Sequence, residues 1–552
     1  MFVYAKLGGK ASWKQHVALL YDEVTALNSI KKIMEQREDL REFLFVRGFL
    51  LTDDPKVPKD GYPFYGTWHC EQHGAFYFWT HPKTGIHTVD YEGNTFFLFG
   101  HAYNPFTMEA DEDKILLRIA EHFDRPDYYD YLDEISGVFV YGVISGENLA
   151  YVVDPSGMQS AASGSVNHSF YLTSHPQLVG DLCGLEMDPF VKELVEYKWY
   201  RCVMGGYLPT DLTPFADLKR VVPNQAYLFN AKDQSVSHKR FYPLKDLAEC
   251  SSEEEYRQVI EEAADILRKN MELVLKKWPN AWQSLTGGID SNTTFAAANG
   301  HYDQLHTFSY VSALKETFDR DAAKKISAHF GVPFTEYLIP ADSSELDSYE
   351  EKAAVINHND GYVALTPENE IRKRIVLQAE CPAEIEIKSW VSETIRAYWY
   401  KHYGRKSMPE LSGKLFRNLY KIFLFNRGLA HRLDRLFDAY IEEFEYRKIP
   451  AQYPPADMHY NEVTWGSWGG MNISQMKFCF DITFIYNNRR FFDLMFKVPL
   501  EKRISDQHHL DMKRYLNPEL YDMGIRVVNL KETDTRAFLL NCIFTMNTIL
   551  PF

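Results

Sequence analysis

The segment Leu285-Thr286-Gly287-Gly288-Ile289-Asp290-Ser291 brings together residue types that can do chemistry at this spacing. It follows a short apolar run and precedes a helix-like run, Asn292 to Ala298. Adjacent glycines let a backbone approach a ligand closely and allow positive φ. Thr286 and Ser291 add hydroxyls, and the helix behind them turns its positive end toward the loop. Such a loop suits phosphate, above all the pyrophosphate part of ATP. Asp290 would repel phosphate unless a cation lay between them, which implies Mg²⁺ with Asp290 as its protein ligand.

The surrounding pattern must position that loop. Trp282 to Leu285 reads as a strand, Asn292 to Asn299 as a helix and Leu305 to Tyr310 as a strand. Asp319 to Phe330 reads as a helix closed by Gly331, and Phe334 to Ile339 as a further strand. Strand–helix alternation implies a parallel sheet flanked by helices, with ligands at the carboxyl ends of its strands. Upstream, Ser252 and Glu255 form a capping-box pattern that opens a long amphipathic helix to about Lys277 and marks a boundary near residue 248. Before it the chain is β-rich: Gly137–Val143 and Leu149–Val153 flank a turn at Ser145–Asn148, and Ser169–Thr173 is another strand. Asp111 to Phe123 has helical periodicity. After Tyr349 the chain is mainly helical. Trp465-Gly466-Ser467-Trp468-Gly469-Gly470 reads as a surface turn packed by two Trp rings, and Ala537 to Phe552 as an apolar tail packed on the core.

Composition narrows the partners. A chain of 552 residues implies two to four domains. A net charge of −16 argues against nucleic acid as the main partner. The seven cysteines form no C-x-x-C pair, so neither a zinc site nor a disulfide framework is indicated, and a reducing cytoplasm fits best. His508-His509 has no carboxylate at zinc-like spacing. Neither a signal-peptide pattern nor an apolar run of membrane-spanning length is present.

The Gly-Gly segment resembles the S/T-G-G-x-D-S pyrophosphate loop of the N-type ATP pyrophosphatases. With other stretches it resembles the asparagine synthetase family and its relatives, the β-lactam synthetases and lasso-peptide cyclases. Thr307-Phe308-Ser309-Tyr310 looks like the family's second strand, whose end, here Ser309 and Tyr310, lines the adenine pocket. Lys388 to Arg396 looks like its acidic loop, and Tyr486 to Arg490 with Val498 to Arg503 like its C-terminal helical signature. In the amino-terminal part Leu132 to Phe139, Asp154-Pro155-Ser156-Gly157 and Thr213 to Arg220 are similar to glutaminase-domain segments. The resemblance implies an α/β protein in two parts. Residues 1–248 would be a four-layer α/β/β/α glutaminase-like sandwich. Residues 249–552 would be a parallel-sheet ATP pyrophosphatase domain, adenine-nucleotide α-hydrolase-like, with a helical C-terminal part.

Three departures shape the expected function. Glutamine-using members carry a cysteine after the initiator Met, where the thiol attacks the amide and its own α-amine acts as base. Here residue 2 is Phe2, so the glutaminase-like part is expected to be inactive. In the acidic loop Trp390 and Val391 stand where glycines are expected, leaving Glu393 and Arg396. Gln507 stands about where the family has a charge-steadying lysine, which leaves Lys502 or Lys513, the latter taken as the candidate.

The family's reaction joins a carboxylate to an amine through an acyl-adenylate. Loop donors steady the leaving pyrophosphate by about 3–4 kcal/mol each in comparable oxyanion sites. β-Lactam synthetases activate the amine with a Tyr-Glu pair, and Tyr362, 31 residues before Glu393, has similar spacing. The expected partners are ATP and a small-molecule or peptide carboxylate and amine, as for a lasso-peptide cyclase or another tailoring enzyme. A homodimer or a complex with a pathway enzyme is compatible with the chain. The alternatives are a nucleotide-binding pseudoenzyme and an ammonia-dependent asparagine synthetase.

Overall fold

The computed structural model describes residues 23–201, 206–312, 316–525 and 534–549. Phe2 lies outside them. The amino-terminal half holds twelve strands: β1 (Phe49–Thr52), β2 (His69–His73), β3 (Phe76–Thr80), β4 (Ile86–Tyr91), β5 (Asn94–Tyr103), β6 (Ser136–Ser145), β7 (Asn148–Val153), β8 (Ala162–Val166), β9 (Ser169–Thr173), β10 (Lys219–Arg220), β11 (Gln225–Asn230) and β12 (Ser235–Arg240). They form two six-stranded antiparallel sheets, ordered β10-β8-β9-β1-β3-β2 and β12-β11-β7-β6-β5-β4.

The sheets face each other through aromatic side chains. Phe49 stacks on Phe99 with ring centroids 4.4 Å apart, and Phe78 meets Phe97 edge-on at 5.0 Å. Outside the second sheet, Ile115, Leu116 and Ile119 of helix Glu112–His122 cover Phe96, Leu98 and Tyr141. Outside the first, Leu178 and Val179 of helix Pro176–Cys183 cover Leu50 and Trp79. Apolar cover on both faces explains why β6 lacks the inside–outside alternation of a half-exposed strand: only its last residue escapes burial. The result is the expected α/β/β/α layering.

Helix Glu253–Lys277 starts as expected, with Ser252 Oγ accepting the Glu255 amide at 3.1 Å. The reciprocal half of the box is shifted. Glu255 accepts from the amide and hydroxyl of Ser251, not of Ser252. Beyond it lies a five-stranded parallel sheet ordered β15-β14-β13-β16-β17. Its strands are β13 (Ala281–Ser284), β14 (His306–Val311), β15 (Phe334–Leu338), β16 (Ile385–Ile387) and β17 (Asp481–Thr483). Ser284 pairs with Phe308, and Gln283 with Ile387. The carboxyl ends of β13, β14 and β16 therefore lie side by side.

Beyond that sheet one sequence expectation fails and another holds only in part. Trp465 to Gly469 is no surface turn. It belongs to a π-helix, Tyr460–Gly469, in which Trp465 is 1% exposed. π-helical turns are uncommon and collect at functional sites. The tail does form a helix, Asp534–Ile549, but of its large apolar side chains only Leu540 and Phe544 are buried. No helix among the described residues is long and apolar enough to cross a membrane.

The two halves share one core cluster. Buried polar contacts also join them. Arg240 on β12 forms a bidentate pair with Glu462 of the π-helix at 2.7 and 2.9 Å, both side chains fully buried. Asn224 Nδ2 donates to the same carboxylate at 2.9 Å, and Lys477 Nζ donates to Gln159 at 2.6 Å.

Candidate active site

The Gly-Gly loop is held from below by its own neighbours. Gln283 Nε2 donates to the Ser291 carbonyl at 2.9 Å, and Asn292 Nδ2 donates to the carbonyls of Thr286 and Gly288. Ser309 Oγ donates to the Leu285 carbonyl at 2.6 Å, tying the ends of β13 and β14 together. Helix Ile289–Ala297 is buried all round from Ser291 onward, and Thr293 and Thr294 turn their hydroxyls back to the carbonyls of Ile289 and Asp290. The loop differs from expectation in one respect. Neither glycine lies in the left-handed region; Gly288 sits at φ −70°. The glycines serve close approach, not an unusual turn.

The loop amides have partners inside the protein. Thr286 N–H donates to Ser291 Oγ at 2.9 Å, Gly288 N–H to Thr286 Oγ1 at 3.2 Å, and Gly287 N–H to the Asp319 carboxylate at 3.1 Å. Tyr310, one residue before the end of β14, has its ring under the Lys373 ammonium, 4.5 Å from the centroid.

Opposite the loop, β16 runs into the turn Lys388–Val391 and a 3₁₀ segment, Ser392–Arg396. Val391, where the resemblance calls for glycine, has φ 77°. The backbone keeps a glycine-like shape with a β-branched residue in it. Ala397 and Asp506 are also left-handed, at φ 50° and 60°. Such conformations cost about 1–3 kcal/mol each and persist where the surroundings hold them, often at functional sites.

This turn completes a charged cluster on Asp290. Ser392 Oγ donates to Asp290 Oδ1 at 2.7 Å, and Arg396 Nη1 donates to Oδ2 at 2.5 Å. His509 Nε2 lies 3.3 Å from Oδ1. Arg396 also grips Asp506 with Nε and Nη2 at 2.8 and 2.9 Å, and Lys401 Nζ reaches Asp506 at 2.6 Å. Burial opposes ionisation of Asp290, yet Arg396, His509 and Ser392 hold its carboxyl well below the usual range. Asp506 is likewise held low against burial by Arg396 and Lys401. Glu393 goes the other way. Burial and the neighbouring Asp290 charge push its carboxyl up to about 7. Two nearby carboxyls with opposite shifts are the arrangement that separates an acid–base group from a fixed charge.

Of the sequence candidates, Asp290, Glu393 and Arg396 come together. Tyr362 is engaged elsewhere, at φ 63° with its hydroxyl 3.0 Å from His358 Nδ1; His358 in turn pairs with Asp181 at 2.7 Å. The tyrosines that feel the Glu393 charge are Tyr460, at the start of the π-helix, and Tyr486. Lys513 is buried with its ammonium 5.7 Å from the Tyr521 ring, and Lys502 pairs with Glu253 at 2.8 Å. The lysine that joins the cluster is Lys401, whose ammonium burial and Arg396 pull below its ordinary pKa. Its one sequence signal was a lysine directly after the aromatic run Tyr398-Trp399-Tyr400. The amino-terminal half braces the same turn: Thr394 Oγ1 donates to Asn461 Oδ1 at 3.4 Å, and Asn461 Nδ2 donates to the Pro155 carbonyl at 3.0 Å.

Among the described residues no group of three or more His, Cys, Asp or Glu could hold a metal alone. Asp290 suits a magnesium ion carried chiefly by phosphates, because it is ionised and its oxygens keep lone pairs beyond the contacts above.

The asparagine synthase family model matches residues 283–357, a stretch that holds the end of β13, the Gly-Gly loop, β14 and β15. That stretch is similar to asparagine synthases. The family is one of ATP-dependent ligases. No curated protein sequence matches the chain. Solved structures similar to it include a glutamine phosphoribosylpyrophosphate amidotransferase from B. subtilis complexed with ADP and GMP, at 9% identity and TM-score 0.21, covering 55% of this chain and 63% of that one. Another is a glutamine-dependent NAD⁺ synthetase from Acinetobacter baumannii in complex with ADP, at 13% identity and TM-score 0.14, covering 44% and 56%. The chain thus spans about three fifths of the length of the structures it matches.

Proposed function

We propose that the protein is an AMP-forming amide ligase, with residues 249–552 as the ATP-binding synthetase domain and residues 1–248 as a glutaminase-like domain that does not hydrolyse glutamine. The observation that carries this reading is the Asp290–Arg396 pair at the Gly-Gly loop with Glu393 beside it at a raised pKa. A carboxylate oxygen of the substrate attacks the α-phosphorus of ATP, and pyrophosphate leaves toward Leu285–Ser291. The amine then attacks the acyl carbon, its proton passes to Glu393, and AMP departs. A general base works best with a pKa near the operating pH, which a value of about 7 provides for Glu393. Arg396 and Lys401 supply positive charge beside the reacting phosphate. A magnesium ion bound with the nucleotide would offset phosphate charge, with Asp290 as its protein contact.

The reading of a glutaminase-like domain without glutaminase activity is supported by thiol chemistry. Strand β1 is entered through Arg47-Gly48, and burial raises the pKa of the Cys70 and Cys183 thiols, so neither is a ready nucleophile. The amine is therefore the substrate's own or free ammonia, within a small molecule or a peptide as in lasso-peptide cyclisation or a similar cytoplasmic tailoring reaction. One observation favours a pseudoenzyme instead: three loop amides and both Asp290 oxygens already have partners within the protein.

Glu393→Gln separates the readings. ATP–pyrophosphate exchange is expected to persist, while amide formation falls by about 10²–10⁴. In the native protein the amide step should quicken as pH rises through about 7, because the base acts deprotonated. Unchanged amide yield in the variant removes Glu393 from the reaction, and absence of pyrophosphate release with every carboxylate offered leaves the pseudoenzyme.

A further inference from the structure

The helix Asp534–Ile549 is amphipathic the wrong way round for a helix that only packs on its own core. Leu540 and Phe544 face inward. Phe538, Leu539, Met546 and Ile549 are 65%, 56%, 55% and 73% exposed, and Cys542 is exposed as a free thiol among them. At about 100° per residue these five positions fall on one stripe roughly a quarter of the circumference wide. On its inner side Asn547 Nδ2 donates to the Ile422 carbonyl at 2.6 Å, anchoring the carboxyl end of the helix. Contiguous apolar surface of this kind marks an interaction site.

The spacing identifies the occupant. Cys542 stands midway between Phe538 and Met546, four residues from each. A two-fold axis at Cys542 sets two antiparallel copies of the helix against each other, with Phe538 of each facing Met546 of the other and the small Cys542 at the crossing point. Self-complementarity about one residue is what an isologous interface requires, and a thioether against a ring is a favourable contact. The five exposed side chains supply on the order of 500 Å² per protomer, about 1,000 Å² in all, the least expected of a specific interface. The helix carries only Asp534 and Arg536 as charged residues, so two chains of net charge −16 can approach there with little local repulsion. A membrane-surface helix would instead be rich in Lys and Arg. We propose that the Asp534–Ile549 helix is the homodimer interface of this protein.

The test is the mass of the full chain in solution, with Phe538→Glu, Phe538→Glu/Met546→Lys and Cys542→Ser variants. The native protein should run at twice the 64.3 kDa chain mass. Phe538→Glu should run as a monomer with unchanged circular dichroism, since Phe538 is exposed. The double variant should return to a dimer, because the two-fold axis sets each new Glu against a new Lys. A short bis-maleimide should link native chains pairwise, and Cys542→Ser should dimerise without linking. A monomeric native protein, as would result if residues 1–22 covered the stripe within one chain, overturns the proposal. So does a dimer indifferent to Phe538→Glu, or failure of the Glu/Lys pair to restore it.

Discussion

The loop Leu285–Ser291 and the turn Lys388–Arg396 face the same site but are held by different physics. The loop is fixed chiefly by neutral hydrogen bonds to its neighbouring strands and helix, the Gly287 amide on the Asp319 carboxylate being the exception, with no left-handed residue. The turn is fixed by charge, through Arg396 between Asp290 and Asp506, around a strained Val391. A motif of local contacts can be carried by a few consecutive residues. A charge network draws on positions more than two hundred residues apart, from Asp290 to Asp506. The difference also divides the work: the loop supplies shape, and the turn supplies charge and a titratable group.

Breaking the charge network should therefore have the largest effect. Arg396→Met leaves Asp290 and Asp506 buried without their shared partner, and should lower stability by about 3–5 kcal/mol, read from urea unfolding at neutral pH. A loss within about 1 kcal/mol would mean that water reaches these carboxylates and that the contrast with the loop is overstated. A smaller effect distinguishes the lysines. Lys401→Ala should reduce pyrophosphate exchange about tenfold, worth about 1.4 kcal/mol. Lys502→Ala, which loses a mostly solvent-exposed pair with Glu253, should leave exchange within a factor of two. The reverse order would return the role to the residue suggested by position in the sequence. Smallest of all is Gly288→Ala. Its Cβ would lie 3.3 Å from Thr286 Oγ1 at a φ that alanine adopts freely, so stability should change by less than about 1 kcal/mol. Nucleotide affinity, measured by calorimetry, should fall by no more than about tenfold. A large loss of stability would mean that the loop, too, is strained.

Legibility in the sequence follows the same division. The strand–loop–helix at Asp290 and the Ser252 cap were readable because period, capping and turn residues are local signals, whereas the layering of the amino-terminal sandwich was readable only through resemblance. Glu393 and Arg396 were readable through resemblance. Tyr362 was picked by spacing alone, and folding turned it toward His358 and Asp181. Lys401 and Tyr460 could not be found that way. Tyr460 lies in a π-helix and Lys401 in the five-residue helix Tyr398–His402, both too irregular or short to carry a strong sequence period, and their places at the site depend on burial that only the assembled halves provide. Glycine-rich Trp465–Gly470 looked exposed for the same reason: its glycines accommodate close neighbours, as where Gly466 lies under Arg220.

The Arg240–Glu462 pair has a consequence for the order in which the molecule is made. Its partners are 222 residues apart, and Arg240 leaves the ribosome long before Glu462 exists. Domains generally fold as they emerge. The sandwich must therefore wait with Arg240 hydrated at its rim until the π-helix arrives. Dehydrating both charges together is then among the last events of folding, and it ties completion of the ligase half to a correctly formed amino-terminal half.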